Sequence, residues 1–160
     1  MNTKPYRPTI NELKGAPRAF IYELQMFLRY VQIFECFKSP CPILLNESLR
    51  NAILEAILLH TRNLLDFFIG KQPKQGKLDE DSIRAGYFVN KECWWQSDKL
   101  SYTKSRKNDI NQSLSHITFK RIEGKYEWDL LKIKEEIEAA YNEFLLLLPV
   151  KDRVKWSQNQ

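Results

Sequence analysis

At 160 residues the chain can bury one sizeable core and is too short for two domains of ordinary size. Hydrophobic residues make up 43% and aromatics 12%, which excludes a disordered chain, and five glycines support neither a phosphate-cradling loop nor a turn-rich β sandwich. A net charge of +5 permits nucleic acid or other anionic partners without requiring them.

Residues 1–15 read as an extended lead-in, polar and punctuated by Pro5 and Pro8, and are expected to be neither a signal peptide nor an anchor. Pro17 suits the first turn of a helix, where its missing N–H is not needed. That helix is expected to reach about Lys38, because Phe20, Leu24, Phe27, Leu28, Val31 and Phe34 recur at steps of three and four. Pro40 and Pro42 then break it.

A second helix is expected from Asn46, a good N-cap, to Gly70, a natural stop. Apart from one polar line (Ser48, Asn51, Glu55, Arg62, Asp66) it is nearly all apolar, so it should be central and the most buried. Residues 71–98 carry no sustained period. A connection that long in a compact domain points to a lid, a binding loop or a docked irregular segment, with Trp94 and Trp95 as its anchors or as stacking surfaces.

A third helix, roughly 101–117, carries Ile110, Leu114 and Ile117 on one side. A fourth, from Trp128 to Leu148, turns Leu130, Leu131, Ile133, Ile137, Tyr141, Phe144 and Leu145 inward, with Lys132, Lys134, Glu135, Glu136 and Glu138 solvated. The tail from 149 to 160 is polar except for Val154 and Trp156. The expectation is a single all-α domain, an up-and-down four-helix bundle over 16–148 with a long irregular loop between its second and third helices.

Three cysteines, Cys36, Cys41 and Cys93, give an odd count without paired spacing, which argues against a disulfide framework or a structural zinc site. A reduced, cytoplasmic protein fits best, and no apolar run approaches the roughly 18–20 residues that cross a bilayer. No cofactor is implied. Carboxylate-bridged dimetal sites in bundles need Glu-x-x-His pairs on two helices, and neither His60 nor His116 is preceded by an acid at that spacing, so no metal is expected.

Chemistry concentrates around the two histidines. Glu55, Arg62 and Asp66 share one stripe of the second helix and can form a buried carboxylate–guanidinium array. Either this is an ion network that sets helix register, or Arg62 is an anion site oriented by its carboxylates. Asn63 and His60 point away from that line, so one helix cannot aim all five polar groups at one point. On the third helix His116 lies off the apolar arc, toward a groove or solvent, and a histidine there is either a general acid–base or a structural hydrogen-bonding group. Lys104, Arg106, Lys107 and Arg121 flank it, so a phosphate backbone laid along the helix would pass the imidazole.

The segment from Asn111 to His116, late in a helical bundle, resembles the Arg-x4–6-His signature of the HEPN superfamily, which includes RNases of bacterial defence and toxin–antitoxin systems. The stretch from His60 to Phe68, with Ser115-His116-Ile117-Thr118, also looks like a recurring bacterial all-helical family. The resemblance spans residues 46–148. It implies a homodimer that brings two motifs together and cuts RNA without metal, with His116 as acid–base, Asn111 or Arg121 steadying phosphate, and Lys104, Arg106 and Lys107 holding the backbone. Asn111 stands where the family has Arg. The rival expectation is a non-catalytic helical module that binds a protein partner or a second copy of itself.

Overall fold

The computed structural model describes residues 8–36, 47–69, 83–89, 95–115 and 127–157. Among them every regular element is helical, and no strand occurs. No helix among these residues is long and apolar enough to cross a membrane.

The expected extended lead-in contains a helical turn, α1 (Ile10–Leu13). Thr9 and Glu12 close a reciprocal capping box. The Glu12 N–H donates to Thr9 Oγ1 at 3.4 Å, and the Thr9 N–H donates to Glu12 Oε2 at 2.6 Å. The Thr-x-x-Glu pattern that produces this satisfies two N-terminal donors at once.

Helix α2 (Ala16–Cys36) follows the expected spacing, burying Ala16, Phe20, Ile21, Leu24, Phe27, Val31 and Phe34. It packs chiefly on α3 (Glu47–Ile69), which also meets the later helices over 107–115 and 130–147. Asn46 and Gly70, the expected bounds of α3, lie outside the described residues. The first half of α3 is more open than its composition suggests, since residues 47–52 are all exposed, Leu49 at 47%. The second half, from Ile57 to Ile69, is where it enters the core. Thr61 fits there because its hydroxyl donates to the Ile57 carbonyl at 2.8 Å.

Of the alternatives for the long connection, a docked segment describes residues 83–89. A 3₁₀ turn, η1 (Ala85–Tyr87), packs on α3 with Ala85 and Val89 buried, and Trp95 rests half-buried against the core. Trp94 lies outside the described residues. The third predicted helix is two helices, α4 (Ser101–Ser105) and α5 (Lys107–Ser115), broken at Arg106. Ile110 is the buried anchor of α5, with Leu114 half-buried beside it.

Helix α6 (Leu130–Leu147) begins at Asp129, whose carboxylate accepts from the Lys132 N–H at 2.9 Å. Its inner face is Leu130, Ile133, Glu136, Ile137, Ala140, Tyr141 and Phe144. Two expectations fail here: Leu131 points outward at 49% exposure, and Glu136 is buried. The polar tail is also structured, as α7 (Val150–Arg153) and a 3₁₀ turn η2 (Val154–Trp156). Arg153 donates to the carbonyls of Leu148 and Leu146 at 3.2 and 3.0 Å, satisfying acceptors at the end of α6.

Trp156 is 2% exposed and completes the aromatic core. Its ring centroid lies 4.6 Å from Phe88, 4.9 Å from Phe144 and 5.7 Å from both Phe20 and Phe67. These separations and their tilted or edge-on geometries are those that aromatic quadrupoles favour. The Tyr141 hydroxyl donates to the Trp156 carbonyl, and burial pushes that hydroxyl's pKa up. α2, α3, η1, α6 and η2 thus share a single core.

Candidate functional site

The side chain of His60 leaves α3 on the face covered by α2, and the residue is only 7% exposed. There Glu23 Oε2 lies 2.6 Å from His60 Nδ1 and accepts from Asn63 Nδ2 at 3.0 Å. A carboxylate can only accept, so Nδ1 carries the proton and, in the neutral ring, Nε2 is the acceptor nitrogen. Tyr30 stacks on the imidazole at 5.8 Å between centroids and Tyr22 meets it edge-on at 6.1 Å. A histidine oriented by a carboxylate is the arrangement that positions a general base, and it also ties two helices together through one polar contact.

The expected Glu55–Arg62–Asp66 array is not assembled. Glu55 is exposed, Arg62 is half-buried, and Asp66 Oδ1 is taken by Lys107 Nζ at 2.6 Å. Helix α5 packs against α3 and delivers Lys107 from its first position, so Asp66 pairs across helices instead of along its own. His60 and Asn63 are brought together with Glu23, not with Arg62.

Arg106 is equally engaged. One terminal nitrogen lies 2.8 Å from Asp109 Oδ2 and the other donates to the Glu127 carbonyl at 3.2 Å, while the guanidinium sits 5.0 Å over the Trp128 ring. Lys104 is exposed. Asn111 is half-buried, and its Oδ1 is buried without a hydrogen-bond partner among the described residues. His116 and Arg121 lie outside the described residues.

No protein-family model, curated protein or solved structure gives a significant match to this chain. Among the described residues no three His, Cys, Asp or Glu side chains gather closely enough to hold a metal ion.

Two carboxylates carry more of this architecture than sequence reasoning assigned them. Glu23 has its partners on another helix, and nothing on α2 marks it. Glu136 caps α4 from α6. Its Oε1 accepts from Ser101 Oγ at 3.1 Å and the Tyr102 N–H at 3.0 Å, and its Oε2 accepts from the Thr103 N–H at 2.8 Å and Thr103 Oγ1 at 2.7 Å. Burial alone would raise the pKa of this carboxyl, but the bonds donated by Thr103, Tyr102 and Ser101 outweigh it and hold the value below the ordinary glutamate range. The available signal was angular: at 100° per residue Glu136 lies about 40° from Ala140, inside the buried arc of α6.

Proposed function

We propose that this chain is a non-catalytic helical module that works by protein contact, with a second copy of itself as the partner. The observation that carries this reading is the internal use of two of the four cations expected to hold RNA. Arg106 and Lys107 already lie 2.8 and 2.6 Å from Asp109 and Asp66. A cation neutralised within the fold displaces few counterions from a phosphate backbone, so it adds little to RNA affinity. The outer face of α2 offers the contact surface. Tyr22 and Ile33, 55% and 41% exposed, lie about 20° apart on the helix, with exposed Arg18 and Arg29 on the same stripe. Tyrosine and arginine around an apolar centre are the residue types that dominate binding hot spots. An up-and-down arrangement of α2, α3, α4–α5 and α6 is the scaffold this reading assumes.

One observation favours a second reading, a HEPN-like metal-independent ribonuclease. Asn111 Oδ1 is a buried acceptor without a hydrogen-bond partner among the described residues, on the helix that leads to His116. In that reading Asn111 helps position the reacting groups and His116 transfers protons.

Light scattering on the purified protein and an RNA cleavage assay in EDTA separate the two. The binding module gives a dimer that Ile33→Glu dissociates, with no RNA retention at low salt. Salt-dependent RNA binding with cleavage abolished by His116→Ala replaces it with the ribonuclease.

A further inference from the structure

The two chain segments expected to lie outside the core, around Lys14 and from 149 onward, together with η1, line a half-open cavity of about 660 Å³. Its lining is mostly apolar, with Leu13, Phe88, Leu148 and Trp156 among the lining residues. Lys14, Lys151 and Lys155 line it as well, against a single carboxylate, Asp152. That carboxylate is already paired with Lys155 at 3.0 Å. Neither Lys14 nor Lys151 forms an ion pair among the described residues, and both are exposed. Lys151, on α7, and Lys155, on η2, border the same opening.

From this combination we infer a binding site for a small amphipathic anion, an apolar chain or ring system ending in a carboxylate or phosphate. This site is independent of the contact surface on α2. The volume is that of cavities that enclose small-molecule ligands, and such cavities are mostly apolar with a few polar groups that fix orientation. Burying the apolar part supplies the affinity. Lys14 and Lys151 select the charged end, because an anion placed beside them regains part of the stabilisation it loses on leaving water. An uncharged analogue of the same length gains only the first of these. The lysines are mobile point charges, so carboxylate and phosphate are both accepted, without the planar fit an arginine would impose.

Titration calorimetry with decanoate, decyl phosphate and 1-decanol tests the site, together with the indole N–H resonance of Trp156, assigned with a Trp156→Phe variant. Decanoate and decyl phosphate are expected to bind and to shift the Trp156 resonance, with 1-decanol weaker by at least about tenfold. The double variant Lys14→Glu, Lys151→Glu should keep the wild-type melting temperature, since neither lysine has an ion-pair partner among the described residues to lose, and should weaken decanoate by at least about tenfold. Phosphatidylglycerol vesicles should not compete with decanoate. Equal affinity for 1-decanol, an unmoved Trp156 resonance, unchanged binding by the double variant, or binding to the vesicles alone would each overturn the assignment.

Discussion

Glu136 is a buried charge held in place by four donors from one short helix. Its folded pKa is depressed, so the stability it contributes is complete above the ordinary glutamate value and is lost as pH falls through the folded one. Glu136→Gln presents an amide NH₂ to groups that are themselves donors, and should cost about 2 kcal/mol at neutral pH. Denaturant titrations of both proteins from neutral to acid pH should show that gap narrowing; a gap independent of pH would mean the charge is irrelevant. Glu23 acts in a more exposed setting, holding both His60 and Asn63. A double-mutant cycle between Glu23→Leu and His60→Phe should yield a coupling of about 1–2 kcal/mol, and additivity would show that the short contact contributes nothing. Glu23 could not be placed from its own helix, and for Glu136 the helix gave the buried angle but not the donors. A carboxylate at a helix surface reads as solvated until the donors that meet it, some 35 positions away in sequence, are placed in space.

At the scale of elements, periodicity was a good guide where the partner surface is apolar and a poor one where it is polar. Helix α2 was legible because Phe20, Leu24, Phe27, Val31 and Phe34 all meet apolar neighbours. The break between α4 and α5 was not, because nothing in the string from Ser101 to Ser115 disfavours a continuous helix. It falls at Arg106, whose side chain is drawn toward Asp109, the Glu127 carbonyl and Trp128, while Glu136 fixes the start of α4. Arg106→Ala should loosen this corner, costing about 1–2 kcal/mol and changing Trp128 fluorescence. Lys104→Ala, at an exposed position on the neighbouring turn, should stay within about 0.5 kcal/mol. Equal melting temperatures for the two variants would mean that the Arg106 contacts do not hold the corner. The capping box at Thr9 and Glu12 was readable by its spacing, yet a single turn ahead of Gly15 offers too little apolar periodicity to stand out from a lead-in.

For the whole molecule, the decisive residue is the one that the surrounding polarity hid. Trp156 sits in a polar stretch, with charged residues before it and uncharged polar ones after, without a repeating apolar partner, and only the folded chain shows that it plugs the cluster of Phe20, Phe67, Phe88 and Phe144. Trp156→Ala should cost about 3–5 kcal/mol, because the space it leaves is walled by rigid rings from several elements. Melting by circular dichroism checks this, and a loss under about 1 kcal/mol would place the tail outside the cooperative unit. Tyr141→Phe removes only the hydroxyl that reaches the Trp156 carbonyl, and should cost about 1 kcal/mol.

The pairing of Phe20 with Trp156 also sets an order of events during synthesis. Phe20 and Phe67 emerge early, and the ring that covers them is made only after all the helices between have been translated. Until then the nascent chain carries an uncovered aromatic surface, the kind of exposure that recruits chaperones and invites aggregation. The contact is also among the longest-range in the fold, so its loop-closure entropy falls late, and the final docking of the tail is expected to be the slow step of refolding.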